Sequence, residues 1–329
     1  MAGAEPFTGT RRHLEARKAA GLHGGMHFTY GDPVRSTDPG RALPGARSIV
    51  VGALRYRRAD PPAPTAAAGA VARYARADHY GTLRAALGEV ATDLKAAGWK
   101  ARVLCDDNAL VDREAARRAG LGWYGKNANL LLPGLGSWFV LGSVVTDAPI
   151  EASPEPVADG CGSCVRCIEA CPTGAIVAPG VVDARRCLAW LVQARGDFPV
   201  EHREALGGRL YGCDDCQEVC PPNRTADRRQ PPDDVAGEEA WVPLVDLLAT
   251  SDEELLARHG RWYIPRRQPR WLRRNALVAL GNVGRTDDPD VVAALRTYAD
   301  GDDELLAEHA TWAIGRIAQR FPDDAAGIR

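Results

Sequence analysis

The sequence predicts an α+β protein of several domains, and three observations lead to that prediction. Strands and helices alternate over about the first 145 residues, which is typical of a layered α/β domain. Eight of the nine cysteines lie between Cys161 and Cys220, and only Cys105 lies outside. Apolar residues with helical spacing fill about the last ninety residues. We therefore expect an α/β domain over 1–150, a cysteine-rich domain over 151–240 and a helical domain over 241–329.

Composition excludes several classes of protein. Of the 329 residues, 45% are hydrophobic and 26% are charged, as in soluble globular proteins. No apolar run reaches the roughly 18 residues that a membrane-spanning helix needs. The polar, Arg-rich N-terminus lacks the apolar core of a secretory signal, so we expect a cytoplasmic protein. A net charge of −2 argues against coating of nucleic acid by the whole surface, but it leaves room for a local basic patch.

The elements of the first domain follow from periodicity and from turn residues. Apolar residues at 83, 87, 90, 91 and 94 have helical spacing, and the predicted helix stops at Gly98. The predicted strands are 46–56, 102–105, 130–132 and 138–145, and the predicted helices are 80–97 and 108–119. The turn at 133–136 also allows an antiparallel pair between the last two strands. Residues 151–158 read as a linker and residues 225–240 as a polar surface loop.

The first cysteine group has the spacing of a bacterial ferredoxin. It reads Cys161-x2-Cys164-x2-Cys167-x3-Cys171-Pro172. In such a run three closely spaced thiolates bind one [4Fe–4S] cluster, and the fourth ligates a second cluster. In a chain without an export signal, crowded cysteines indicate metal or redox chemistry rather than disulfides.

A second group, Cys213-x2-Cys216-x3-Cys220-Pro221, completes the set together with Cys187. Reciprocal ligation then predicts two clusters with four thiolates each. The predicted sets are Cys161, Cys164, Cys167 and Cys220 for cluster 1, and Cys171, Cys187, Cys213 and Cys216 for cluster 2. The alternative is a pair of zinc sites, although zinc knuckles usually pair two C-x2-C hairpins.

The helical domain has two further features. Residues 275–281 align with residues 309–315 at a spacing of 34, a pattern that resembles HEAT-type repeats. The alternative is an ordinary helical hairpin. Six arginines between Arg261 and Arg274 alternate with Trp262, Tyr263 and Trp271. Such a segment suits phosphate contacts and base stacking, and the alternative is a solvated helix face.

Several motifs together resemble epoxyqueuosine reductases over nearly the whole chain, from about Gly24 to Gly315. The motifs are Gly160-Cys161-Gly162-Ser163-Cys164, Ala170-Cys171-Pro172-Thr173-Gly174-Ala175, Arg186-Cys187, Tyr211-Gly212-Cys213-Asp214-Asp215-Cys216-Gln217, Ala119-Gly120-Leu121-Gly122-Trp123, Gly125-Lys126-Asn127, Gly136-Ser137-Trp138, Arg73-Tyr74-Ala75 and Arg274-Asn275-Ala276. Asp78-His79-Tyr80 departs from the family's usual Asp-Tyr-His order.

The resemblance implies a corrinoid-binding α/β domain, a ferredoxin-like two-cluster domain and a HEAT-like helical repeat that binds tRNA. It implies reduction of epoxyqueuosine at the tRNA wobble position to queuosine, with electrons from two [4Fe–4S] clusters and cobalamin. The implied partners are a tRNA with a GUN anticodon that carries epoxyqueuosine and a low-potential electron donor of ferredoxin or flavodoxin type. We expect a monomer without membrane association. The corrinoid domain is similar to that of reductive dehalogenases, so another corrinoid reductase and a non-catalytic electron-transfer module are the alternatives.

The resemblance also implies site residues. Asp106 would be the acid that protonates the departing oxygen, and the alternative is that it caps a helix beginning near Asn108. The implied cobalamin contacts are Arg57, Asp106, Leu130, Leu141 and Ala194. The implied tRNA contacts are Arg266, Arg267, Arg270, Arg273 and Arg274. None of the seven histidines stands in an Asp-x-His-x-x-Gly motif, so we expect base-off cobalamin without a protein His ligand.

Overall fold

The computed structural model describes residues 1–153, 157–231 and 238–323 and divides into two compact units. The first unit contains residues 1–59, 78–185 and 215–234. The second contains residues 60–77, 186–214 and 235–329. Both units are therefore assembled from stretches that are distant in the sequence.

The secondary structure is mixed. The strands are β1 (Ala2–Gly3), β2 (Ser48–Arg55), β3 (Ala68–Val71), β4 (Ala101–Cys105), β5 (Trp123–Tyr124), β6 (Leu130–Leu131), β7 (Phe139–Thr146), β8 (Ile176–Ala178), β9 (Val181–Val182), β10 (Arg209–Tyr211) and β11 (Trp241–Pro243). The helices are α1 (Thr8–Ala19), α2 (Pro33–Ser36), α3 (Pro39–Ala42), α4 (His79–Ala96), α5 (Asp112–Arg118), α6 (Arg166–Glu169), α7 (Leu188–Leu191), α8 (Val200–Leu206), α9 (Asp215–Glu218), α10 (Pro221–Arg229), α11 (Leu244–Ala249), α12 (Asp252–His259), α13 (Arg270–Val283), α14 (Pro289–Ala299) and α15 (Glu304–Arg320). Short 3-10 turns lie at Arg73–Ala75 and Pro265–Arg267. Within the described ranges, every helix is too short or too polar to cross a membrane.

A four-stranded sheet in the order β1-β2-β7-β4 forms the centre of the first unit. Each neighbouring pair is antiparallel, and β7 lies between β2 and β4 along its length. Almost every residue of β7 is buried, because it is flanked on both edges and covered by helices. The predicted alternation of strands and helices is thus present, with an antiparallel sheet.

Helix α4 illustrates how the sequence sets these elements. The Asp78 side chain accepts a hydrogen bond from the backbone N–H of Gly81 at 2.8 Å, which caps the first turn. Leu83, Leu87 and Ala91 form its buried stripe. The helix gives way to Gly98, whose φ of 89° suits only glycine without strain.

Three predicted elements differ from the structure. The helix predicted to begin at 108 begins at Asp112, because the preceding residues form a separate turn. Strand β6 pairs with β5 and not with β7. The loop predicted from 225 is helical through Arg229, where α10 ends. Part of that loop, 232–237, and part of the predicted linker, 154–156, lie outside the described residues.

The second unit combines a small sheet with stacked helices. Strand β3 pairs with β10 in parallel and with β11 in antiparallel orientation. Its core joins side chains of this sheet to helices α11 to α15, with Trp262, Trp271 and Leu277 among the buried residues. The two segments aligned by the predicted repeat lie in α13 and α15. The HEAT-like repeat itself stays a prediction.

The two glycines that this alignment superposes have different surroundings. A Cβ added at Gly281 would lie 2.8 Å from the Cα of Ala313 and 2.9 Å from the Trp312 ring. A Cβ added at Gly315 would meet nothing within 4 Å. Gly281 therefore permits the close approach of α13 to α15, whereas Gly315 is free of such a constraint.

We expect Gly281→Ala to lower the free energy of unfolding by about 1–3 kcal/mol, because the added methyl overpacks this contact. Gly315→Ala should raise it by up to about 1 kcal/mol, since alanine favours helix over glycine. Urea unfolding of both variants checks the pair. Equal effects of the two substitutions would contradict the close approach at Gly281.

Candidate functional site

Four cysteine thiols lie near one another in the first unit. Cys161 and Cys220 pack against Trp123 in a small apolar cluster. Burial, and after it the neighbouring thiols of Cys161, Cys167 and Cys164, together raise the pKa of the Cys220 thiol to about 11. The pKa of Cys167 is also raised, first by burial and then by Cys161. Thiolates crowded in a poorly solvated place repel one another, so a cationic metal centre would stabilise them there.

A buried hydrogen-bond network holds the segment that carries Cys220. The Asn223 amide donates to the carbonyl of Gln217 at 2.8 Å and to the Ser137 hydroxyl at 3.0 Å. In return, the Ser137 N–H donates to the Asn223 Oδ1 at 2.6 Å. Gly136 has a φ of 77°, and any Cβ on it would fall 1.9 Å from that oxygen. The turn before β7 is thus fixed to the start of α10.

The other four cysteines are divided between the units. Cys171 and Cys216 belong to the first unit, and Cys187 and Cys213 belong to the second. The Cys171 sulfur accepts a hydrogen bond from the Ala175 N–H at 3.2 Å. Among the described residues, no three His, Cys, Asp or Glu side chains are grouped so as to hold a single metal ion.

Asp106 lies in the turn directly after β4 and has a left-handed backbone, with a φ of 52°. Its side chain is exposed, yet the partial burial of its carboxyl group raises its pKa. The charge of Asp107 adds to this rise, whereas Arg84 opposes it. Asp107 accepts an N–H bond from Ala109 at 2.8 Å, so it closes the turn that the sequence had assigned to a helix.

Sequence reasoning missed Asp112, the first residue of α5. Its Oδ1 is buried and has no hydrogen-bond partner within the described residues. Burial raises its pKa well above the usual value, and the charge of Asp106 adds to the rise. The same two carboxylates raise the pKa of Tyr80, after the larger effect of burial. An acidic residue in the first turn of a helix is so common that its sequence position gave no signal.

The implied cobalamin contacts fall in two places. Leu130 and Leu141 pack in one buried cluster with Ala116. Arg57, also in the first unit, donates to the Asp227 carboxylate at 3.0 Å, and its guanidinium lies 5.7 Å from the centre of the Trp138 ring. Ala194 belongs to the second unit, where it is half-buried.

The structure removes one arginine from the implied tRNA surface and ties two others to carboxylates. Arg274 has no exposed surface, so including it among the tRNA contacts was wrong. The Arg270 guanidinium donates to the Asp303 carboxylate at 2.6 Å. Arg273 pairs with Asp252. These contacts leave Arg270 partly exposed and Arg273 largely covered, and each guanidinium is already paired with a carboxylate.

The aromatic residues of the same segment also differ from the expectation. Trp262 and Trp271 are buried, and their indole N–H groups donate to backbone carbonyls of the second unit. Tyr263 is 54% exposed, so its ring remains open to solvent. Arg266 and Arg267 are exposed, and both have a φ of 52° in the turn before α13. The exposed part of the patch is therefore Tyr263, Arg266 and Arg267 together with the neutralised pairs.

Comparison with known proteins decides the family. A model described as a 4Fe-4S double cluster binding domain matches residues 160–223, and one described as epoxyqueuosine reductase QueG, DUF1730, matches residues 36–107. Epoxyqueuosine reductase of Bacillus cereus is 33% identical over 305 residues, which covers 90% of this chain and 80% of the relative. The chain belongs to the epoxyqueuosine reductase family. The resemblance inferred from the motifs is thereby confirmed.

Solved epoxyqueuosine reductases have the same fold. One, crystallised with a tRNA-Tyr epoxyqueuosine-modified stem loop, superposes with a TM-score of 0.86 at 32% identity. The superposition covers 98% of this chain and 87% of the solved chain. Another, from Bacillus subtilis, has an aspartate-containing catalytic loop swung out of the active site and superposes with a TM-score of 0.85 at 33% identity. This superposition covers 98% of this chain and 88% of the Bacillus subtilis chain. The α+β class is thus confirmed for this family member.

Proposed function

We propose that this protein reduces epoxyqueuosine at the wobble position of tRNA to queuosine. The observation that carries the proposal is the match, over 98% of the chain, to an epoxyqueuosine reductase bound to an epoxyqueuosine-modified tRNA stem loop. The double-cluster segment at 160–223 supports a reductive reaction, because iron–sulfur clusters deliver electrons. Such a reaction takes place where tRNA is found, in the cytoplasm.

Three consecutive segments divide the work in this proposal. Residues 1–150 hold the catalytic site, residues 151–240 hold the clusters and residues 241–329 bind tRNA. Cluster 1 would take the four thiols that lie together in the first unit, which supports their assignment to one [4Fe–4S] cube. The spacing of the remaining cysteines assigns Cys171, Cys187, Cys213 and Cys216 to cluster 2.

The residues of the first unit fit cobalamin, whose corrin ring has apolar faces. Half-buried apolar side chains, Val51, Ala53 and Phe139, edge the cluster that contains Leu130 and Leu141. This apolar edge, with Arg57 beside it, would contact the corrin, and Ala194 is a further proposed contact. When bound, cobalamin supplies a strongly nucleophilic reduced cobalt for reaction with the epoxide. In the absence of an Asp-x-His-x-x-Gly motif, we propose that no protein histidine ligates it.

Asp106 would hold the proton for the departing oxygen. Removal of an epoxide oxygen as water takes two electrons and two protons and leaves an alkene. A carboxyl group supplies a proton near neutral pH only when its surroundings raise its pKa, and burial and Asp107 both raise that of Asp106. Because the relative from Bacillus subtilis has a catalytic loop that contains an aspartate and is swung out of the active site, the exposed turn position of Asp106 is compatible with such a role.

Substrate binding would use the exposed part of the basic patch. Arg266 and Arg267 are suited to phosphate contacts, and the open ring of Tyr263 is suited to stacking on a base. Arg270 and Arg273 can contribute only by exchanging carboxylate partners for phosphates. We further propose that the protein acts as a monomer on tRNA with a GUN anticodon. Electrons would come from a low-potential ferredoxin or flavodoxin.

Cluster 1 ligation predicts different results for two buried cysteines. After anaerobic reconstitution the wild type should hold about eight iron atoms, as two [4Fe–4S] clusters require. Cys220→Ser should hold about four, because one cluster loses a ligand. Cys105→Ser should keep about eight, since Cys105 is the last residue of β4 and lies outside both cysteine groups. Iron analysis and visible absorption check this; stoichiometric zinc in anaerobically purified protein would contradict it.

Removal of the Asp106 acid should affect turnover and its pH dependence. Asp106→Asn should keep both clusters and slow turnover by about 10²–10⁴-fold, the usual effect of losing a general acid. Wild-type turnover should fall as pH rises through the raised pKa of Asp106, because the protonated form is lost, and this limb should be absent in the variant. Asp107→Asn is the control, since asparagine can still accept the Ala109 N–H bond. Near-normal turnover of Asp106→Asn would exclude it as the acid.

Two exposed arginines should hold tRNA through phosphates. Arg266→Gln with Arg267→Gln should weaken tRNA binding and reduce the slope of log affinity against log salt by about one per lost contact. Arg285→Gln is the control, because Arg285 is an exposed arginine of the same unit that pairs with Asp287. Titration of an anticodon stem-loop at several salt concentrations measures both. An unchanged slope in the double variant would place the RNA elsewhere.

A further inference from the structure

Arg274, which the sequence had assigned to RNA, binds instead to the segment after Cys187. It has no exposed surface. Its guanidinium donates to three backbone carbonyl oxygens: Leu191 at 2.9 Å, Ala194 at 2.8 Å and Gly196 at 2.7 Å. These oxygens lie at and beyond the end of α7, the four-residue helix that begins directly after Cys187. The last carbonyls of a helix lack hydrogen-bond donors within it, and here the Arg274 guanidinium supplies the donors.

Asn275, the next residue of α13, joins that segment to the one that carries Cys213. Its amide nitrogen donates to the carbonyl of Val192 at 2.8 Å and to that of Leu210 at 3.2 Å. Leu210 lies in β10, three residues before Cys213. The side-chain oxygen of Asn275 accepts a hydrogen bond from the Arg274 guanidinium at 2.7 Å, so the two side chains form one hydrogen-bonded pair.

Burial of the Arg274 charge costs free energy and has to be compensated by hydrogen bonds. Burial lowers the pKa of Arg274 to about 10, because the charged guanidinium loses water. A buried charge is tolerated only where its donors are used, and here the partners are backbone carbonyls of one short segment. A helix of four residues does not hold its own shape, since nucleation of a helical turn is unfavourable. The pair therefore adds polar bonds to a segment whose apolar side chains, Leu188, Leu191 and Val192, pack in a buried cluster.

We propose that Arg274 and Asn275 are positioning residues that hold Cys187 and Cys213 in place for the second [4Fe–4S] cluster. The proposal rests on the proposed ligand set of cluster 2. The Cys187 carbonyl accepts the N–H groups of Trp190 and Leu191, both at 2.9 Å, so fixing the end of α7 also fixes its cysteine end. Helix α13 thus supports a redox centre in addition to contributing to the basic surface.

Asn282 provides a matched control on the same helix. It lies seven residues after Asn275, and its amide nitrogen also donates to two backbone carbonyls, those of Arg203 at 2.7 Å and Gly207 at 3.1 Å. That segment carries no cysteine. Asn275→Ala and Asn282→Ala each remove two bonds from an α13 amide to backbone carbonyls, and only the first removes them from the cysteine-bearing segments, together with the contact to Arg274.

The experiment compares both variants after anaerobic reconstitution with iron and sulfide. We expect a drop in Tm for both apoproteins, and a larger one for Asn275→Ala, because Asn275 is fully buried and also accepts bonds from Arg274. Asn275→Ala should hold about four iron atoms in place of about eight, or should lose half of its iron to a chelator at least tenfold faster than the wild type. Asn282→Ala should match the wild type in both measurements. Equal iron content and equal release rates in the two variants would overturn the proposal, and so would loss of all iron from Asn275→Ala.

A second variant covers the case in which Asn275→Ala does not fold. Arg274→Lys keeps the charge and the apolar stem but replaces a planar fork of donors with a single ammonium group. It should show the same selective loss of about half of the iron, and a full iron complement would count against the proposal. These measurements need no tRNA. A protein that shows this iron pattern but does not reduce epoxyqueuosine would refute the proposed function and leave the positioning role intact.

Discussion

The constraint on which most of this structure depends is the crowding of cysteine thiols in a poorly solvated place. Burial and repulsion by the neighbouring thiols raise the pKa of Cys220 to about 11, so this thiol resists ionisation unless a cation compensates its charge. Holding them together requires a backbone that is fixed by other bonds. In the first unit these bonds are the Asn223 network and the contact from the Asn127 amide to the Cys216 carbonyl at 3.3 Å.

The second unit meets the same requirement with different residues. Cys213 lies between two fixed points: Leu210, bound by Asn275, and Asp214, which accepts the Arg73 backbone N–H at 2.8 Å. The Arg274 guanidinium and the Asn275 amide, both buried on α13, bind the segment that follows Cys187. In the proposed account, α13 thus supports the cysteines of this unit, and the exposed turn with Tyr263 is the part offered to RNA.

How much was predictable varied with the kind of signal. Cysteine spacing and the Gly-rich motifs identified the family, because ligand geometry restricts which residues stand at which intervals. Strands β2, β4 and β7 and helix α4 were predicted within a residue or two, since their apolar patterns are regular. The start of α5 was misplaced because Asp107 closes a turn, a choice that depends on one side-chain bond. Asp112 could not be found, since burial of its carboxyl depends on tertiary packing.

The basic segment shows the limit most clearly. Arginines and aromatics at 261–274 have the composition of an RNA site, yet Trp262, Trp271 and Arg274 point into the protein. Composition cannot tell which side of a turn faces solvent, because that depends on the packing of α13 against the sheet and its neighbours.

The most direct test of the central claim is nucleoside analysis of epoxyqueuosine-containing tRNA. It should be incubated with a reductant and protein that was anaerobically reconstituted with iron, sulfide and cobalamin. The account predicts conversion to queuosine that requires the protein and both cofactors; unchanged epoxyqueuosine with fully loaded protein would contradict it.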